Sequence, residues 1–301
     1  MTDRILEGQH IRGRGRLVDY SNLVKLPHTV FALPFALVGA VLASYRHPVR
    51  AADVLLILTA FTAARFAAMG FNRIVDRGID ARNPRTRLRE LPAGRLSVRE
   101  AAVAVVLTSA VFLACAWLLN PLCLALAPLA LGWVFFYSYT KRFTRWAHLV
   151  LGFALAIAPV GAYLAVAGEW SRPPAALAAI AAAVLCWVAG FDILYSLQDI
   201  DFDRREGLHS VPAALGPRGA LRVSRGLHAL SVAAFLALGM LVPELGALYF
   251  AGVAVIAVML AYEQSLVKED DFSRLDAAFF TLNGAISLLF FALVLAERLL
   301  P

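Results

Sequence analysis

The sequence predicts an all-α membrane protein, a bundle of nine transmembrane helices. Three observations carry that prediction. The 301 residues are 60% hydrophobic with a mean hydropathy of +0.72, above the roughly 45–50% apolar content of soluble domains. Long stretches contain no Asp, Glu, Lys or Arg. The basic residues fall almost wholly on one side of the helices those stretches would form.

The elements follow in chain order. The arm 1–28 contains "MTDRILEGQHIRGRGRLVDY", which has neither the apolar run nor the cleavage site of a signal peptide. The first span, 29–45, then acts as an uncleaved insertion signal. The second, 52–72, is interrupted only by Asp53 and Arg65. Residues 101–140 are uncharged throughout. At roughly 20 residues per crossing they provide two spans, turned at Asn120-Pro121. Residues 146–168, 173–191, 226–243, 245–262 and 277–296 complete the nine. Of the 28 Lys and Arg residues, 23 fall on one side of this topology and four on the other, with Arg65 inside a span. The positive-inside rule puts the rich side in the cytoplasm. The chain is thus expected to be one integral domain, 1–301, in the inner (plasma) membrane, with the arm 1–28 cytoplasmic. Topology and anionic headgroups account for the +7 charge, so nucleic acid is not an expected partner. The cysteines (115, 123 and 186) lie within spans at no zinc-site spacing and are read as buried apolar residues.

Chemistry concentrates at two places on the cytoplasmic side. In "FNRIVDRGIDARNPRTR", Asn72, Asp76 and Asp80 recur every four residues. In "FDILYSLQDIDFDRREG", Asp199 and Asp203 do the same, with Asp201 between them facing elsewhere. Side chains four apart on a helix share a face at about 5–6 Å, where like charges repel unless a cation lies between them. Oxygen-only ligands with room for water and phosphate suit magnesium. Two such clusters at one mouth can hold Mg2+ around a diphosphate. Lys141 and Arg142 in "YSYTKRFT" are candidates for its phosphate oxygens. Asp192 lies seven residues before Asp199 and deeper, on the same helix face. Arg65 lies seven before Asn72, two turns into the membrane, and needs a partner there: a carboxylate substrate or Asp192. Lys25 and His28 precede the first span, as an interfacial anchor and a cap or as site residues.

These residues resemble the UbiA superfamily of intramembrane prenyltransferases. The first family motif, Asn-x-x-x-Asp-x-x-x-Asp, reads Asn72, Asp76, Asp80; the second, Asp-x-x-x-Asp after a Tyr-bearing helix, reads Tyr195, Asp199, Asp203. The flanks "NPRTRLRELPAGRLS", "YSYTKR" and "GLHSVPAALG" are similar too. The likeness is greatest to 4-hydroxybenzoate polyprenyltransferases and to menaquinone-pathway (futalosine-route) relatives that use a dihydroxynaphthoate. One departure is Arg204 after Asp203, where the former commonly carry a further acid; it bears on the acceptor, not on the diphosphate site.

The resemblance implies a UbiA-like helical bundle in the lipid bilayer, open to the cytoplasm and laterally to lipid. It implies Mg2+-dependent transfer from a polyprenyl diphosphate to an aromatic acid acceptor in quinone biosynthesis. Asn72, Asp76, Asp80, Asp199 and Asp203 would hold metal. Lys141, Arg142 and Tyr195 would bind diphosphate, Arg65 or Lys25 the acceptor carboxylate, and Asp192 would handle the phenol proton or orient a basic partner. A transporter with intramembrane carboxylates is the rival reading, but its acids belong near the bilayer midplane, and these cluster at one end. A family enzyme with another acceptor is the third.

Overall fold

The computed structural model describes residues 15–25, 29–269, 275 and 281–300, with side chains from Leu33 onward in the second stretch. Among the described residues there is no strand. The helices are α1 (Arg16–Leu23), α2 (Thr29–Ser44), α3 (Ala51–Arg82), α4 (Val98–Leu119), α5 (Pro121–Thr140) and α6 (Ala147–Ala167). They continue as α7 (Pro174–Tyr195), a 3₁₀ turn (Ser196–Asp199), α8 (Ile200–Arg205), α9 (Val211–Leu241), α10 (Ala247–Leu266) and α11 (Asn283–Leu299).

Seven helical segments among the described residues are long and apolar enough to cross a membrane: α3, α4, α5, α6, α7 run on through α8, α9 and α10. They make this a multi-pass membrane protein. The expected count of nine is not confirmed. The first and ninth expected spans correspond to α2 and α11, of 16 and 17 residues, short of the roughly 20 a crossing needs. Residues 277–280 of the ninth lie outside the described residues.

Local signals explain the boundaries. Asp53 accepts the Arg50 N–H at 3.0 Å and opens α3. Ser97 and Glu100 form a capping box at the start of α4. Asn120 caps α5 ahead of Pro121 at the first helical position. Its amide also donates to the Leu164 carbonyl at 2.9 Å, pinning that turn to α6. Two boundaries differ from expectation. The first, α3, runs 32 residues, ten beyond the expected end of the 52–72 span, and carries Asn72, Asp76 and Asp80 on continuous helix, as their spacing requires. The second, α9, starts at Val211 under the Ser210 cap and bends at Gly216, whose φ of 67° is open to glycine; the expected 226–243 span is its second half.

At the centre, α7 packs between α6 and α9. Close approach depends on small residues: a Cβ on Gly152 would lie 2.4 Å from the Leu185 carbonyl oxygen, and one on Gly39 of α2 only 1.9 Å from that of Pro159 in α6. Phe35, Trp187, Phe235 and Phe290 interlock where α2, α7, α9 and α11 meet, with Phe35 and Trp187 centroids 4.7 Å apart. On the other side, α3, α5 and α6 border an apolar cavity of about 560 Å³, within the range of ligand sites.

Candidate active site

The cavity runs beside α3 from Ile57 to Asn72. At a 1.5 Å rise per residue that is about 22 Å. Asn72 at its mouth donates to Asp76 at 2.9 Å. One turn on, Asp80 is 5% exposed. Arginines engage both acids: Arg142 donates to Asp76 at 2.8 Å and Arg89 to Asp80 at 2.6 Å, with Arg73 3.9 Å from the latter's second oxygen.

The second cluster converges on the first. Asp199 accepts a fork from Arg85, 3.0 Å from Nε and 2.6 Å from Nη2, and an N–H from Asn83 at 3.2 Å. Both donors belong to the segment just after α3. Arg85 also donates to the Tyr195 hydroxyl at 3.2 Å. A further clasp joins Arg82 to Glu206 at 2.7 Å. Asp203 is 2% exposed, and its Oδ2 has no hydrogen-bond partner. Asp201 is exposed. A 3₁₀ turn interrupts the helix between Asp192 and Asp199, so these two do not share the continuous α-helical face expected of them.

Lys141 caps α5 close to Asp203, Asp192 and Asp199. Burial pulls its pKa down, the three carboxylates outweigh burial, and the net shift is upward, so the ammonium is held charged. Tyr137, one turn before it, lines the cavity and feels the charges of Asp192 and Asp76.

Arg65 also lines the cavity, about 10 Å deeper than Asn72 along α3. Its Nε is buried without a hydrogen bond, and the side chain has no ion-pair partner among the described residues. Asp192 is not its partner: that carboxylate lies 2.6 Å from Nδ1 of His148. Lys25, just after α1, is not among the cavity's lining residues. His28 lies outside the described residues.

Residues 32–293 match the profile of the UbiA prenyltransferase family. The chain belongs to the UbiA prenyltransferase family. Among curated relatives, this UbiA-family chain is 31% identical over 284 residues to the 4-hydroxybenzoate octaprenyltransferase of Nitrosospira multiformis, covering 93% of this chain and 96% of that one. It is 32% identical over 247 residues to the Edwardsiella ictaluri enzyme of the same name, with 80% and 83% covered. The structure of a UbiA homologue from Aeropyrum pernix superposes with a TM-score of 0.82 at 39% identity, over 90% of this chain and 98% of that one. An Archaeoglobus fulgidus homologue bound to DMAPP and Mg2+ shares the fold at 22% identity and a TM-score of 0.69, over 94% and 100%. The UbiA-family chain is thus a prenyl-transferring enzyme, a polyprenyltransferase like its curated relatives.

The residues also fit the metal such neighbours hold. The clusters are oxygen-rich, and Asp203 Oδ2 is a buried acceptor without a hydrogen-bond partner, the kind of oxygen that suits a hard cation. Among the described residues no three His, Cys, Asp or Glu side chains form a ready metal cage; arginines neutralise the acids instead. Sequence reasoning missed these partners in the UbiA-family site: Asn83, Arg85, Arg89 and His148. The one available signal was the density of arginines in "ARNPRTRLR" beside the first Asp series, which topology alone does not require.

Proposed function

We propose that this enzyme transfers a polyprenyl group from a polyprenyl diphosphate to a hydroxylated aromatic acid, 4-hydroxybenzoate or a dihydroxynaphthoate, in quinone biosynthesis. One observation carries the reading. Two Asp-bearing ends are joined by Arg85 and Asn83 beyond Asn72, the last α3 residue lining an apolar cavity, and the cavity wall holds a cation, Arg65, with no protein partner among the described residues. A diphosphate suits the mouth, a prenyl chain the cavity, and a carboxylate the arginine. The curated relatives' names favour 4-hydroxybenzoate.

Asn72, Asp76, Asp80, Asp199 and Asp203 would hold Mg2+. When bound it would neutralise the diphosphate and make it a better leaving group. Arg85, Arg89, Arg142 and Lys141 surround the same acids and would donate to phosphate oxygens, and the Tyr195 hydroxyl steadies Arg85. The C–O bond of the donor breaks with its electron pair leaving on the diphosphate. Trp133 and Phe153, with centroids 4.6 Å apart in the cavity wall, shield the allylic cation through their ring faces. Arg65 holds the acceptor carboxylate. A π pair of the ring forms the new C–C bond, the ring C–H pair returns to the ring, and the proton passes to Asp192. The apolar enclosure keeps the cation from water. The mouth faces the cytoplasm of the inner membrane, by the distribution of Lys and Arg.

The test is product mass spectrometry on membranes given magnesium, a long prenyl diphosphate and each aromatic acid in parallel. A prenylated product with one ring and not the other identifies the acceptor. No product with either refutes the proposal.

A further inference from the structure

We propose that His148 is a positioning residue that fixes the Asp192 carboxylate for proton acceptance. This rests on the reading of Asp192 as the proton acceptor. His148 sits in the first turn of α6 and is fully buried, with an exposure of 0%. Its two ring nitrogens meet different partners. Nε2 lies 3.4 Å from the backbone N–H of Val211, which donates to it. Val211 is the first residue of α9, whose opening N–H groups have no partner within their own helix. A nitrogen that accepts carries no hydrogen, so in the neutral imidazole the hydrogen is on Nδ1. That hydrogen points at Asp192 Oδ2, 2.6 Å away. A doubly protonated ring would set Nε2–H against Val211 N–H, donor against donor.

The anchor is itself held. Ser210 accepts the Ala213 N–H at 3.2 Å and fixes the first turn of α9. The His209 N–H donates to the Lys141 carbonyl at 2.7 Å. The end of α5, the start of α6 and the segment after the second Asp cluster therefore meet around one imidazole. Asp192 is held by one oxygen only. Its side chain is 18% exposed, and Oδ1 makes no hydrogen bond among the described residues. Tyr137, which lines the cavity, and Lys141 both feel its charge. The pair inverts the usual order of carboxylate and histidine: here the histidine orients and the carboxylate takes the proton.

The test uses the full-length enzyme in detergent with a prenyl diphosphate, magnesium and whichever aromatic acid the product assay identifies. His148→Phe keeps the ring volume and removes the N–H. It is expected to lower kcat about 10²-fold, the cost of a misplaced catalytic group. The KM for prenyl diphosphate should stay within about twofold, because the mouth is untouched. His148→Asn places an amide N–H where Nδ1–H was and should recover kcat to within about tenfold of the parent; His148→Gln, reaching toward Val211 instead, should not. With Asp192→Asn already in place, His148→Phe should cost nothing more. Should the Phe variant fail to fold, the Asn and Gln variants decide the matter between them.

Parental kcat in His148→Phe, equal kcat in His148→Asn and His148→Gln, or multiplying losses in the double variant would overturn the inference. An inactive Asp192→Asn beside a fully active His148→Phe overturns this inference alone. Full activity in Asp192→Asn overturns the proton-acceptor reading as well.

Discussion

Replacing Arg65 with methionine should make the fold more stable and the enzyme worse. The guanidinium lies in the wall of an apolar cavity, with Nε buried and no hydrogen bond or ion pair among the described residues. A cation taken from water without a partner costs several kcal/mol. Methionine follows the same unbranched path, fills the space and removes that cost. The free enzyme should therefore melt higher, by an amount on the order of 1–3 kcal/mol once snorkelling and trapped water have softened the penalty. Function moves the other way. A carboxylate on Arg65 gains two charge-assisted hydrogen bonds at about 1.5–3 kcal/mol each. Counting only the lower value for the pair, about 3 kcal/mol, kcat/KM for the acceptor should fall roughly 10²-fold. The assay pairs thermal unfolding in detergent with kcat/KM for the aromatic acid and for the same phenol lacking its carboxyl group. The variant should lose its preference for the acid while its use of the prenyl diphosphate stays constant. A less stable variant that keeps the acid preference would refute the argument, since the arginine would then be serving the fold.

Asp76→Ala and Asp199→Ala should each abolish transfer while helix content by circular dichroism stays unchanged; product from either would break the diphosphate assignment. Chelating magnesium should stop the parent enzyme in the same way, and re-adding the ion alone should restore product. Arg85→Lys loses the fork to Asp199 but keeps the charge, so transfer should drop about tenfold or more while the protein remains folded. The pKa of Lys141 in the fold lies above the ordinary lysine value of 10.5. Its stabilising contribution is therefore fully present below that value and is lost only as pH rises through the raised one. The Tm gap between parent and Lys141→Met should stay flat from roughly pH 6 to 9, and a gap that narrows across this window would count against the charge network. Gly39→Ala forces a Cβ onto the Pro159 carbonyl; Tm should fall by the equivalent of about 1–3 kcal/mol.

What could be read in the sequence was what local periodicity encodes. Uncharged runs marked the helices, because a membrane-crossing segment is defined by its own composition. The series Arg65, Asn72, Asp76 and Asp80 was legible because all four sit on one unbroken helix, α3. The partners of those residues were not. Arg85 and Asp199 are 114 positions apart, and His148 and Asp192 are 44 apart; no spacing rule links residues on different helices. The arginines after Asp80 looked like a topology signal, and topology gave them no specific contact. Lys25 looked well placed because it precedes the first span, yet α1 ends there and leaves it outside the cavity lining. The number of crossings was not legible, because α2 and α11 fall at the margin of the length a crossing needs.

The four-residue 3₁₀ turn Ser196–Asp199 has a geometric effect on the acids around it. Each 3₁₀ residue advances about 120° around the axis where an α residue advances 100°, so the turn adds roughly 80° of torsional offset. Had the coil kept its ordinary pitch, Asp192 and Asp199 would stack in one column and repel. The tighter winding sends one toward an imidazole and the other toward a guanidinium. Four residues of altered pitch thereby give two acids of one polypeptide segment two different partners.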